Sequence, residues 1–271
     1  MKVIISCLNS KYVHASLSPW CLLVGVRAFA KKPYDVKVIE STINGDAESF
    51  SREIIGEKPD VVAFSCYIWN ITKTLEICSM IKEEIGCTVV LGGPEVAYRP
   101  KDILDKYGYI DYVLSGEGEW TFPEFLDGFG GDFSLISGLS YRKNGEVITV
   151  EEKEYKDTPP SPFSDEFFEN LRGRISYIET ARGCPYRCAF CLSGRGSSLR
   201  FFDIERVKSD IIALSDSGTQ TVKFVDRTFN ANEKRANEIL LFIKENYGKR
   251  IPSGVCFHFE IAGDILKEST M

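Results

Sequence analysis

The first half of the chain repeats one rhythm. Val3–Cys7, Val36–Glu40, Val61–Ser65, Thr88–Leu91 and Tyr112–Leu114 are short runs, rich in β-branched residues and apolar at nearly every position. Each is followed by a longer stretch of helical period: Leu17–Ala30, Ala47–Gly56, Ile71–Ile85, Lys101–Tyr107 and Trp120–Gly128. A strand that is apolar on both faces must be covered on both faces, and a helical stretch after each strand supplies the cover. The rhythm therefore predicts an α/β unit: a doubly wound parallel sheet of five strands over about residues 1–130.

Past Gly130 the rhythm breaks. Leu139–Arg142 and Val147–Val150 flank Lys143-Asn144-Gly145, the signature of a β-hairpin closed by an Asn-Gly turn. The charged stretch Glu151–Asp157 and Thr158-Pro159-Pro160-Ser161-Pro162 then suit an extended strap. A second βα series follows: Ile175–Glu179, a cysteine loop, Ile204–Ser215, Thr221–Val225, Lys234–Tyr247 and Val255–Glu260. The expected divisions are residues 1–135, a hairpin and linker over 136–165, and a second domain over 166–271. Three strands do not close a barrel, so the second domain is expected to be a partial β/α barrel.

Composition excludes several classes of function. Lys plus Arg number 33 against 39 Asp plus Glu, a net charge of -6, which argues against a mainly electrostatic nucleic-acid binder. No apolar run approaches the roughly 18–20 residues that span a bilayer, and the first residues do not form a signal peptide. The expectation is a cytoplasmic protein with no membrane partner, in which the nine cysteines are reduced thiols.

Three of those cysteines stand together. Cys184, Cys188 and Cys191 have a CxxxCxxC spacing directly after an expected strand, in Ala181-Arg182-Gly183-Cys184-Pro185-Tyr186-Arg187-Cys188-Ala189-Phe190-Cys191. Soft thiolates select iron-sulfur or zinc. Three of them can cap three irons of a cubane cluster and leave the fourth iron open to a cofactor or substrate. Gly183 and Pro185 let the loop turn, and Phe190 is placed to shield the site. On spacing alone a zinc knuckle and a chance grouping stay open, although zinc lacks a second CxxC pair here. Cys7, Cys21, Cys66, Cys78, Cys87 and Cys256 lie mostly in apolar runs and read as small core residues, with Cys66, at the end of the third strand, the exception to watch.

The CxxxCxxC loop, with an aromatic residue before its last cysteine, resembles the radical S-adenosylmethionine (radical SAM) superfamily. The resemblance implies a 4Fe-4S cluster on Cys184, Cys188 and Cys191, with S-adenosylmethionine chelating the fourth iron. It also implies reductive cleavage of that sulfonium to methionine and a 5'-deoxyadenosyl radical, driven by a flavodoxin- or ferredoxin-type electron donor. Further positions carried over for S-adenosylmethionine are Phe190, Asp226 in Val225-Asp226-Arg227-Thr228, and Glu260 in Phe257-His258-Phe259-Glu260. Alternation along a strand would put Glu260 on the face of His258. A helix-capping role for Asp226, and an ion pair of Glu260 with Arg182 or Lys223, are the structural alternatives. Ser193–Ser198, around Gly194-Arg195-Gly196, would flank the cofactor.

In an open parallel sheet, ligands bind at the carboxyl ends of the strands. Those ends here are Ser6–Ser10, Ser65–Asn70, Leu91-Gly92-Gly93-Pro94-Glu95 and Ser115-Gly116-Glu117-Gly118-Glu119. No GxGxxG follows the first strand, so a dinucleotide is a poor fit. Ahead of a proline strap and a cysteine loop, these glycine turns resemble the cobalamin-binding subgroup of radical SAM proteins. That resemblance implies a Rossmann-like domain stacking the corrin on Ser10, Ser65, Asn70, Gly92, Gly93, Glu95, Gly116 and Glu117. The DxHxxG motif that carries a cobalt ligand is missing. Either cobalt has no histidine below it, which the sequence favours, or His14 serves. The implied activity is radical methyl transfer or C-H functionalisation of a small-molecule or peptide substrate. The alternatives are a radical SAM oxidoreductase whose first domain binds substrate and no corrin, and a non-catalytic metal-binding module.

Overall fold

β1 (Lys2–Asn9) is buried along nearly its whole length. It lies between β2 (Asp35–Thr42) and β3 (Val61–Ser65), parallel to both, with Val3 in register with Val36 and Val61. β4 (Thr88–Gly92) and β5 (Tyr112–Leu114) continue the parallel order beyond β3. The order β2-β1-β3-β4-β5 reverses between β1 and β3, and such a reversal opens a crevice at the carboxyl ends of the strands. The computed structural model describes residues 1–171, 173–192 and 198–266.

Helices cover both faces of this sheet. α1 (Ser18–Phe29), α2 (Ala47–Gly56), α3 (Ile71–Ile85), the short α4 (Pro94–Ala97) and α5 (Pro100–Lys106), and α6 (Gly118–Asp127) connect the strands. α2 packs on α3 and α1 on α6. The second pair approaches closely: a Cβ at Gly25 would lie 2.4 Å from the Glu119 carbonyl oxygen, so only glycine fits there.

The expected hairpin forms, as β6 (Leu139–Lys143) and β7 (Glu146–Thr149), with Asn144 and Gly145 both at positive φ in the turn. It does not stand apart in a connector. β6 pairs antiparallel with β5, Tyr141 against Tyr112, so the sheet has seven strands where the rhythm gives five. An open parallel edge is a row of unpaired backbone groups, and the hairpin satisfies them. Arg142 fastens it by donating to the carbonyls of Leu104, Tyr107 and Ile110.

The chain divides into two compact units: residues 1–12 with 16–153, and residues 13–15 with 154–271. In the second, α7 (Asp165–Leu171) precedes β8 (Ser176–Ile178), and an antiparallel pair, β9 (Ala181–Arg182) and β10 (Arg200–Phe201), closes the cysteine loop. α8 (Ile204–Asp216), β11 (Thr221–Phe224), α9 (Glu233–Asn246) and β12 (Cys256–His258) follow. β8, β11 and β12 are parallel, with Val222 in register with Ser176 and Phe257. Each helix starts on a side-chain cap: Asp203 accepts from Arg206 N and Asn232 from Arg235 N. The proline strap is tied along α8, with Ser161 Oγ donating to Asp210 at 2.9 Å and Arg206 donating to the Pro159 carbonyl. Among the described residues no helix is long and apolar enough to cross a membrane.

Candidate functional site

The cysteine loop leaves β9 through Gly183, at φ 93°, and returns at β10. Cys184, Cys188 and Cys191 form no disulfide; Cys188 is exposed and the other two are half-buried. Cys191 N donates to the Cys188 carbonyl at 3.0 Å, a turn that holds these two cysteines close together. Cys184 Sγ lies 3.5 Å from Thr228 Oγ1, on the loop after β11. Among the described residues no three His, Cys, Asp or Glu side chains converge in a metal-holding arrangement. The donor set itself, three soft thiols outside any disulfide within one loop, fits an iron-sulfur cluster. Phe190 does not shield the thiols in this structure: its ring is 94% exposed.

Asp226, two residues past the end of β11, is buried and engaged by the protein. It accepts from Thr180 N at 2.6 Å and from the Thr180 hydroxyl. Burial pushes its carboxyl up to about 6, against the opposing pull of the Thr180 hydrogen bonds. It is therefore a staple between the ends of β8 and β11. The helix-cap role considered for it falls to Asn232.

Glu260 departs from its expected place. β12 ends at His258, and Glu260 sits beyond it as an exposed residue whose carbonyl accepts from Phe229 N at 2.8 Å. No buried charge has to be neutralised there. Arg182, one of its proposed ion-pair partners, instead binds Glu179 through two hydrogen bonds, at 2.8 and 2.7 Å. Of the flanking segment Ser193–Ser198, residues 193–197 lie outside the described residues, and Ser198 donates to Glu154.

In the first unit the candidate residues gather at the strand ends. Asn70 is fully buried, and its amide nitrogen donates to the carbonyls of Leu8 (3.1 Å) and Ser65 (3.0 Å) while its oxygen accepts from Tyr67 N (2.7 Å). It ties the ends of β1 and β3 together, and both hydrogens of its amide nitrogen go to backbone carbonyls. Ser65 is buried and supplies that carbonyl; Ser10, just past β1, is half-buried. Gly93, at φ 95°, lies against β3: a Cβ there would stand 2.6 Å from the Cys66 carbonyl oxygen. Gly92 packs beside Leu114, Glu95 is paired loosely with Arg99 at 3.8 Å, and Glu117 is half-buried at the start of α6.

Sequence reasoning missed four features of these strand ends. Asn9, buried at the end of β1, has an amide nitrogen with no partner among the described residues, and a buried orphan donor of this kind suits a ligand acceptor. Ile68 (79% exposed) and Trp69 form an apolar rim on the β3 loop, with Trp69 stacked on Tyr67 at 4.6 Å. Glu152 lies over Gly116, its carboxylate 3.1 Å from where a Cβ would be. An apolar rim with small residues and a spare donor fits a large planar ligand. Only Trp69 carried a signal, as an aromatic residue in a strand-end loop.

His14 belongs to the second unit. Its backbone pairs with Ile175, its ring shares a hydrogen bond with the Tyr177 hydroxyl, and its carbonyl accepts from Arg174. The remaining cysteines divide: Cys7, Cys66, Cys78 and Cys87 are buried, Cys21 is half-buried, and Cys256, expected in the core, is exposed on β12, which among the described residues lies at the edge of its sheet.

Residues 14–126 match the B12 binding domain family. The chain is 30% identical over 259 residues to an uncharacterised methyltransferase of Pyrococcus horikoshii, covering 87% of this chain and 54% of that protein. It is 35% identical over 172 residues to the cobalamin-dependent radical SAM methyltransferase TokK of Streptomyces tokunonensis, covering 57% of this chain and 25% of that protein. The chain thus spans about half the length of these relatives, or less. Its fold matches the radical SAM methyltransferase TsrM from Kitasatospora setae, solved with cobalamin and a 4Fe-4S cluster, with a TM-score of 0.68 at 21% identity over 91% of this chain and 52% of that one. With residues 14–126 matching the B12 binding domain and a CxxxCxxC loop following on a parallel βα unit, the chain is similar to cobalamin-dependent radical SAM methyltransferases.

Proposed function

We propose that the first unit binds cobalamin at its strand ends and the second binds a 4Fe-4S cluster and S-adenosylmethionine. The activity we assign is radical methyl transfer, or a related C-H functionalisation, on a small-molecule or peptide substrate. The observation that carries this is the CxxxCxxC set of three cysteines outside any disulfide in one loop, in a chain whose residues 14–126 match a B12 binding domain. When bound, the cluster supplies the electron that cleaves S-adenosylmethionine and cobalamin supplies a methyl carrier.

The chain's own residues have defined parts in this proposal. Cys184, Cys188 and Cys191 hold three irons. Glu260, exposed beyond β12, is the carboxylate available to the amino or ribose groups of S-adenosylmethionine, and Asp226 orients the loop beside it. Gly92, Gly93 and Gly116 let the corrin approach the backbone. Ser10, Ser65, Glu95 and Glu117 border it with Ile68 and Trp69, and Asn70 acts through the strand ends it joins. With His14 engaged by Tyr177, we assign cobalt no protein histidine. A flavodoxin- or ferredoxin-type donor and a cytoplasmic setting complete the proposal.

The test is direct. After anaerobic reconstitution the chain should hold about four irons and release 5'-deoxyadenosine when given dithionite and S-adenosylmethionine. After incubation with hydroxocobalamin and desalting it should retain a corrin absorbance. Zinc in place of iron sinks the radical proposal; iron without corrin favours a first unit that binds substrate instead.

A further inference from the structure

The loop after β11 is held from two sides. At its start Asp226 is bonded to the Thr180 backbone and hydroxyl. At its end Phe229 N donates to the Glu260 carbonyl, and the Asn230 side chain exchanges two hydrogen bonds, both 2.9 Å, with the backbone of Ala262. The polar side chains at 226 and 230 are thus committed to fixing the loop. Thr228 lies between these ties, is 6% exposed, and has its hydroxyl 3.5 Å from Cys184 Sγ. A buried hydroxyl needs a partner, and the sulfur is the one the fold places there.

We propose that Thr228 is a positioning residue for the iron-sulfur cluster, its hydroxyl donating to the Cys184 thiolate and raising the cluster's reduction potential. This rests on the cluster assignment of the cysteine loop. A donor at a ligand sulfur withdraws electron density and favours the cluster state with the extra negative charge, which is the reduced one. The loop's ties run to Thr180, Glu260 and Ala262, so the donor is held in place independently of Cys188 and Cys191. It acts on one thiolate of the three.

The experiment is a dithionite titration of the cluster, followed by electron paramagnetic resonance, in the reconstituted 271-residue chain. Wild type, Thr228→Ser, Thr228→Val and Thr228→Ala are compared. Serine keeps the donor and should keep the wild-type potential. Valine and alanine lack it and should make reduction about tenfold less favourable, a shift of about 59 mV to lower potential for a one-electron couple. Alanine, being smaller than threonine, keeps the readout if valine strains the loop. Equal potentials in all four chains overturn the proposal, as does a serine variant that shifts with valine, since the methyl group would then be what matters. A wild-type chain that takes up no iron overturns the cluster assignment itself, and the two failures are thereby distinct.

Discussion

At the end of β3, a buried Asn70 joins two strands through backbone carbonyls, and Gly93 lies too close to Cys66 for any side chain. After β9, by contrast, Cys188 is exposed, the nearby Phe190 faces solvent, and Cys184 lies against the loop after β11. The first site is shaped by the protein before any ligand arrives. The second has one of its three cysteines exposed and an aromatic neighbour in solvent. Preorganisation of this kind suits a large rigid ligand, because its binding then costs little ordering. A cluster contributes strong bonds of its own and can order a loose loop.

The largest expected effect separates the two regions completely. Cys184→Ala, Cys188→Ala and Cys191→Ala should each abolish iron loading while leaving corrin retention and chemical denaturation of the first unit unchanged. Cys78→Ala, in the buried core under the sheet, should do the reverse: full iron content with a loss of about 1 kcal/mol in stability. Iron content and urea melts on the same preparations check both. If a loop cysteine variant also unfolds the first unit, the two sites are not independent.

Next in size is Gly93→Ala. The left-handed backbone at φ 95° and the overlap with Cys66 both resist a Cβ, so we expect a loss of about 2–5 kcal/mol by urea denaturation. Corrin retention should fall with it and iron loading should not. Gly86→Ala, also at positive φ but with open space around it, pays the backbone cost alone and should lose less.

The same contrast explains what was legible in the sequence. Strands buried on both faces announce themselves by unbroken apolar runs, and the Asn144-Gly145 turn announces its hairpin; both are local signals. The pairing of that hairpin with β5 is a long-range contact with no local mark. Asn70 stands out by its place at a strand end, but the carbonyls of Leu8 and Ser65 that it binds are set by the sheet and have no mark in the sequence. Glu260 was placed by carrying strand alternation two residues past His258, where the Phe229 contact has already drawn the backbone off the ladder. The cysteines were legible because their spacing is the chemistry. Thr228 was not, since its proximity to Cys184 exists only once β9 and β11 lie in one unit.

A smaller effect tests the fixed part of the second unit. The Asp226 carboxyl stands at about 6 because of burial, above the roughly 3.9 of an unfolded chain. Between those values the folded chain binds the proton more than the unfolded chain does, so this group makes stability fall as pH rises from about 4 to 6, with no further change above. Asp226→Asn removes the titration and keeps an acceptor for Thr180 N. Its stability relative to wild type should therefore climb across that window by about 2–3 kcal/mol and then level off, as read from urea melts between pH 4 and 8. A difference that stays flat means that the carboxyl titrates at an ordinary value and that the staple is not desolvated.

The smallest effect concerns Phe190, which sits two residues from one proposed ligand and next to another. A ring that is 94% exposed buries almost no apolar area, so Phe190→Ala should change the stability of the chain without metal by less than about 0.5 kcal/mol. The reconstituted chain provides the opposite case. If binding closes the loop, the ring becomes part of the wall that keeps water and oxygen from the cluster, and the variant should bleach faster in air than wild type while loading the same iron. Equal bleaching rates would leave Phe190 a surface residue in both states, and the loop would then be ordered by its thiolates alone.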